Sequence, residues 1–343
     1  MVHALAADAA SAQNTTLSSV SDELLVATIV GYAVALFLFA CEAAYGRREA
    51  LRSGRLVSVG AGASGSGSSA GGNLDEADDM EVSVRHEEEQ ARAPRHLVGR
   101  VGVLVTAVAF ALNLAQVVTR GIAADRWPWG NMFEFVVAIC LCAVAAFLYA
   151  AVRYQARFLG TFVLIPVVLL LGIGVKWLYS QAGPVIPALD SYWIAIHVSA
   201  MIIATGGFLV SGVAGIAYLM AQRTEVKQAA GETVTGIPAK LPSSGLLDRV
   251  SHRFVVFAFP IWTFAIIAGA IWADEAWGRF WGWDPKEVWS FITWTVYAAY
   301  LHARHTAGWR GNVATWIGLV GLACLLFNFF GVNYIFSGLH SYA

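Results

Sequence analysis

The feature that most constrains this chain is a series of eight long apolar runs, at about residues 24–43, 98–119, 132–152, 158–176, 193–220, 254–273, 287–303 and 312–333. The hydrocarbon core of a bilayer takes about 20 residues of helix to cross. Backbone polar groups in lipid have no water to bond, so open runs of this length must be α-helical. The fold class expected is all-α: a polytopic integral membrane protein with about eight transmembrane helices. An even number of spans places both termini on one side. If that side is the outer one, it carries Arg120, Arg126, Lys176, Arg279 and Lys286, and the other 17 of the 22 Lys and Arg face inward. That is the bias the positive-inside rule requires.

A hydrophobic content of 58% with 13% charged residues suits the bilayer as solvent. A net charge of −1 offers no basic face for nucleic acid. Residues 1–23 form an outer tail without Lys or Arg ahead of the first run, so the span at 24–43 reads as a retained anchor rather than a signal peptide. Residues 44–97 follow as a cytoplasmic linker. Its Gly/Ser part, 60–72, and its acidic part, 75–89, are too polar to fold alone and are expected to be flexible. The main domain is 98–343. Cys41, Cys140, Cys142 and Cys324 all lie in apolar runs and are expected to be free thiols. No Cys-x-x-Cys-His occurs, so the chain attaches no haem covalently to itself.

The sharpest local signal is a loop at 274–294. It reads Trp277-Gly-Arg279-Phe-Trp281-Gly-Trp283-Asp284-Pro285-Lys286-Glu287-Val-Trp289, four of the 13 tryptophans within 13 residues. An interfacial belt explains single tryptophans at a membrane boundary, but it explains this density poorly. Gly278 and Gly282 allow the backbone to lay rings beside a large planar ligand such as a tetrapyrrole. Arg279 and Lys286 are candidates for pairing with the two propionates of a haem, with snorkelling as the plain alternative. Asp284, Pro285 and Glu287 stand at N-cap, N1 and N3 of the next helix, a capping box, so the two carboxylates serve mainly helix initiation.

Two of the eight histidines fall on the outer side near this loop. His197 lies one turn into the fifth span and His340 in the terminal stretch Gly338-Leu-His340-Ser-Tyr342-Ala. Imidazoles on opposite faces of a haem iron make a six-coordinate b-type centre, although a lone histidine near a membrane surface is more often structural. His302 closes the seventh span at its inner end and is a candidate for a second, inner haem site, or else a helix-terminal residue favoured by the dipole.

Taken together these segments resemble the CcsA (ResC) family of haem-handling proteins, the WWD-domain component of the System II cytochrome c synthase. The resemblance covers about 98–343. It rests on the tryptophan loop, on Gly269-Ala270-x-Trp272-Ala273 before it, on Tyr300-Leu-His302-x-Arg304 after it, on the segment from Trp193 to His197, on the tail around His340, and on Asn131-Met-Phe-Glu134.

It implies a plasma-membrane protein that presents non-covalent haem b, a substrate in transit, on the outer face for thioether attachment to the Cys-x-x-Cys-His of an apocytochrome c. His197 and His340 would be axial ligands, and His302 would serve haem passage. Trp277, Arg279, Trp281, Trp283, Asp284, Lys286 and Trp289 would surround the haem. A CcsB (ResB) type membrane subunit would be the partner. The chain departs from the family in having Ala258-Phe-Pro260 where Gly-Phe-Pro is usual, and in its enlarged first inner loop. Three other readings remain: a CcmC-type haem chaperone without a ligation role, a cytochrome b redox subunit, and an unrelated membrane transporter. The cytochrome b reading lacks a helix with two stacked histidines.

Overall fold

The structure, a computed structural model, describes residues 2–45, 74–154, 156–183, 191–306 and 308–340. Those residues are all-helical: α1 (Val2–Tyr45), α2 (Leu74–Ala124), α3 (Met132–Arg153), α4 (Leu159–Ile173), α5 (Tyr192–Ala229), α6 (Ser244–Trp277), α7 (Pro285–His305), α8 (Asn312–Leu326) and α9 (Val332–Ile335). A π-turn, Gly174–Leu178, extends α4, and another, Phe327–Gly331, joins α8 to α9. The four cysteines are free thiols.

Two boundaries differ from expectation. Helix α1 begins at Val2, so residues 2–23 of the expected tail continue the first span backward. Its run of alanines has the highest intrinsic helix propensity. Of the expected linker, 46–73 lies outside the described residues. From Leu74 the acidic stretch is helical and runs without interruption into the second span, because its Glu, Ala, Met and Arg are also strong helix formers.

Among the described residues, seven helices are long and apolar enough to cross a membrane, including 14–43 of α1, 97–124 of α2 and the whole stretch from α8 to α9. Helix α7, expected as the eighth span, is 21 residues long but falls short in apolarity, since Ser, Thr, Trp, Tyr and His dilute its Val, Ile and Leu. It nevertheless lies antiparallel to α6 along much of its length. Trp262 donates to the carbonyl of Ser290 at 3.3 Å toward one end, Trp294 donates to Thr263 at 2.9 Å in the middle, and Arg304 meets Asp248 at 2.5 Å at the other.

Helices α5 and α6 are likewise antiparallel, and their polar groups are paired in rungs. Glu225 accepts from the backbone N–H of Ser244 at 2.8 Å. Ser211 and Ser251 each donate to the other's carbonyl at 2.9 and 3.0 Å, and His197 meets the carbonyl of Ala265 at 2.7 Å. Such pairing removes the penalty for polar groups in a medium without water. Helix α3 packs on α5 through Gly206, where a Cβ would lie 2.8 Å from the backbone carbon of Cys142. Only glycine permits that approach. The rungs fix the register that brings the ends of α3, α5, α6, α7 and α9 nearest the 274–294 loop around one space.

Candidate functional site

That space is a cavity of about 150 Å³, some ten times the 10–15 Å³ that one water occupies on the same measure. His197 lines it from α5, Gly269, Trp272 and Ala273 from α6, Trp281 from the loop, Lys286 and Ser290 from α7, Asn328 and Phe329 from the π-turn, and His340 from the tail. Two histidines separated by 143 positions in the chain therefore share one wall system.

Each histidine is held by its Nδ1. For His197 the acceptor is the Ala265 carbonyl at 2.7 Å, which requires the Nδ1–H tautomer. Its ring lies parallel to Trp272, with centroids 6.2 Å apart and an 8° angle. Gly269 makes this possible, since a Cβ there would stand 2.6 Å from the imidazole. For His340 the partner is Asp284, Nδ1 to Oδ1 at 2.8 Å, and its ring meets Trp272 and Trp277 edge-on at 5.6 and 4.8 Å.

Asp284 is the joint of the site. Gly278, in the left-handed conformation at φ 68°, ends α6, and the chain turns back to the N-terminus of α7. The expected capping box is present. Asp284 accepts from the N–H of Lys286 at 3.2 Å, and Glu287 accepts from the N–H of Asp284 at 3.1 Å. The same aspartate also accepts from the N–H of Leu339 at 2.8 Å, and a Cβ at Gly338 would stand 2.5 Å from its Oδ2. One carboxylate thus starts a helix and docks the terminal tail. Burial alone would raise its pKa, but the hydrogen bond and charge of His340, with the N–H groups of Leu339 and Lys286, hold it below the ordinary carboxylate value.

The other loop residues divide. Trp281 and Lys286 line the cavity, and Trp277 backs His340. Trp289 packs on Phe327 at 4.3 Å, beside the cavity rather than in it. Trp283 is 71% exposed and takes a positive φ of 58°, uncommon for a non-glycine residue, while Gly282 supplies an N–H to Glu287 at 2.8 Å. Arg279 points to Glu287, so that guanidinium is already neutralised within the loop. His302 is exposed, and it sits at the far end of α7, about 24 Å along the axis from Lys286.

Among the cavity residues that sequence alone did not single out as site residues are Trp272, Trp129, Asn328 and Asn333. Trp129 and Asn131 are placed by a buried ion network. Glu134 takes Arg120 at 2.8 Å, Arg126 at 2.7 Å and the N–H of Gly130 at 2.8 Å, while Asn131 caps the helix through the N–H of Glu134 at 2.9 Å. Arg120 and Arg126 are therefore both committed to this carboxylate. A groove of about 560 Å³, lined by Arg126, Trp127, Ser191 and Tyr192, adjoins the cavity and shares Trp129, Gly130 and Ile194 with it.

Fold and site together define a polytopic helical membrane protein with a histidine- and tryptophan-lined cavity. Residues 129–340 match the family described as Cytochrome C assembly protein. The chain is 31% identical to the cytochrome c biogenesis protein CcsA of Gloeobacter violaceus, an alignment covering 72% of this chain and 87% of that one. Against the CcsA proteins of Synechococcus elongatus and Mesostigma viride, identities are 32% and 30%, over 71% and 72% of this chain and 87% and 86% of theirs. The chain belongs to the CcsA-type cytochrome c assembly family, and its role is in cytochrome c biogenesis.

Proposed function

We propose that this protein is the haem-handling subunit of a cytochrome c synthase. In this reading it holds haem b non-covalently in the outer cavity, with His197 and His340 as axial ligands, for attachment to an apocytochrome c. The observation that carries the reading is that both histidines line one cavity with Nδ1 anchored, one on a carbonyl and one on a carboxylate. Metal-ligating histidines are held in this manner, and the anchor leaves Nε2 for the iron. Among the described residues there is no cluster of three or more His, Cys, Asp or Glu able to hold a bare metal ion. A haem needs none, because the porphyrin supplies four nitrogens and the protein only axial ligands.

Haem is here the substrate. A thiol of the Cys-x-x-Cys-His segment adds across a haem vinyl group, sulfur to one carbon and a proton to the other, with no net change of oxidation state. The chain's residues contribute position rather than a nucleophile or base. The two imidazoles fix the haem, the Trp272 and Trp277 cluster excludes water around them, and the adjoining groove admits the peptide. The incoming histidine of the substrate displaces one axial imidazole. His340, on the terminal tail, is the one that releases. Helix α7 is the eighth span, both termini are outside, the loop at 274–294 faces outward from a bacterial plasma membrane, and a CcsB-type subunit completes the enzyme. His302, at the inner end of α7, meets haem on its way outward.

The test is reconstitution with that subunit and an apocytochrome reporter in cells lacking their own synthase. Covalent haem on the denatured reporter is expected with the wild type. Its yield should fall at least about tenfold with Gly269→Val, which drives a side chain into His197. Full yield from that variant contradicts the role of the cavity.

A further inference from the structure

Four charged side chains meet next to the loop that walls the cavity ahead of α3. Arg120 and Glu134 are almost wholly buried, with 1% of each side chain exposed, while Arg126 is 13% and Asp22 38% exposed. Glu134 takes Arg120 on one oxygen and Arg126 on both. One carboxylate cannot balance two guanidinium ions. Asp22 of α1 supplies the second negative charge. Its Oδ1 faces Nη1 of Arg120 at 3.8 Å, and neither atom has a hydrogen-bond partner among the described residues. Its Oδ2 accepts from the hydroxyl of Tyr179 at 2.6 Å. The cluster is neutral only with α1 in place.

What these charges hold is backbone. Arg120 donates to the carbonyl of Ser180, and Arg126 to the carbonyls of Gly183 at 2.8 Å and Trp127 at 2.9 Å. Glu134 accepts from the N–H of Gly130 at 2.8 Å. These bonds fall on the 125–131 loop and on the segment after the π-turn of α4. The loop serves two spaces at once: Trp129, Gly130 and Asn131 line the cavity, and Asp125, Arg126, Trp127, Trp129 and Gly130 line the adjoining groove. The histidines do not depend on it, since His197 is anchored on α6 and His340 on Asp284. Buried ion pairs add little net stability compared with apolar packing, and their best-attested use is to fix one arrangement among several. Ionisable groups inside a membrane protein mark function by default.

We propose that Asp22 and Glu134 are positioning residues for the attachment reaction. Through Arg120 and Arg126 they hold the 125–131 loop as the wall shared by cavity and groove, and so set how the incoming Cys-x-x-Cys-His segment lies against the haem. Neither carboxylate touches haem or peptide. The inference rests on the reading of the cavity as the haem site and the groove as the peptide's entry. It gives α1, which lies ahead of the family-matched residues 129–340, a part in the reaction.

The experiment uses the detergent-purified complex of the full chain with its CcsB-type subunit, loaded with haem under reducing conditions and given a Cys-x-x-Cys-His peptide. Haem content, visible spectrum and attachment rate against peptide concentration are measured for the wild type, Asp22→Asn, Asp22→Glu, Glu134→Gln and the double variant Asp22→Asn/Arg120→Gln. Asp22→Asn and Glu134→Gln should keep the haem content and spectrum of the wild type, while the peptide concentration at half-maximal rate rises at least about fivefold. Asp22→Glu should stay within about twofold of the wild type. The double variant should recover part of the loss of Asp22→Asn, because it restores neutrality. An unchanged half-saturation in both single variants overturns the proposal, and a double variant no better than Asp22→Asn overturns its charge-balance argument. Loss of haem in step with rate marks a merely structural clasp and overturns it as well. Should Glu134→Gln not fold, Asp22→Asn, at a partly exposed carboxylate, decides alone. If the wild-type complex attaches no haem, the reading of the site falls, and this inference with it.

Discussion

Each cavity histidine has one ring nitrogen fixed by the protein, and the nature of the anchor decides how it responds to its surroundings. His197 is tied to a backbone carbonyl that does not titrate. His340 is tied to Asp284, whose carboxyl is held below its ordinary pKa and which also caps α7. A carboxyl with a depressed folded pKa stabilises fully above its unfolded value of about 3.9, and that contribution is lost as pH falls through the folded value. Asp284→Asn keeps an N-cap but should lower stability by about 1–3 kcal/mol near neutral pH through the lost charge on the hydrogen bonds to His340 and Leu339. Thermal midpoints of the two proteins in detergent should converge below about pH 4. A gap that persists unchanged at pH 3 argues against an ionised Asp284 as the tail's anchor. The capping role of this residue was legible in the sequence, because Asp-Pro-x-Glu is a local pattern. Its grip on residues 339 and 340 was not, because nothing near position 284 signals a chain end returning from 55 residues away.

At the scale of helices, close approach is set by single glycines. Gly206 sits where α5 meets the backbone of α3, whereas a Cβ at Gly172 of α4 meets nothing within 4 Å. Gly206→Val is expected to cost about 1–3 kcal/mol or more by overpacking, and Gly172→Val should be nearly silent. Unfolding midpoints of the two variants in the same detergent decide the matter, and equal shifts would remove the claim that the α3–α5 contact is tight. The apolar runs foretold most of the helices, since 20 apolar residues in a row have few other solutions. They misplaced the ends, because Ala- and Glu-rich polar segments continue a helix beyond the lipid, as at the start of α1 and through the acidic stretch ahead of the second span. Trp272, Trp129, Asn328 and Asn333 went unrecognised as site residues for a related reason. Apolar runs and belts have many aromatic and small polar residues, and only packing of five separate elements singles these out.

For the whole molecule, the proposed orientation has the cavity open outward and the turn between α5 and α6 inside. A single engineered cysteine at Ala230, placed in a chain whose four native thiols are replaced, should react with an impermeant maleimide only after the cells are permeabilised. One at Trp283, which is highly exposed, should react in intact cells. The reverse pattern would invert the orientation and, with it, the outer location of the site. Charge bias is what predicts this orientation from sequence. The proposed axial ligands were reached through the motifs around His197 and His340, and their sharing of one cavity follows from the α5–α6 rungs and the tail clamp at Asp284.

The most direct test of the central claim is the visible spectrum of the detergent-purified protein, wild type beside His197→Ala and His340→Ala, with and without imidazole. A low-spin b-type spectrum in the wild type, lost in each variant and recovered when imidazole fills the vacated position, is the predicted result. A haem spectrum indifferent to both substitutions would contradict the assignment of these histidines.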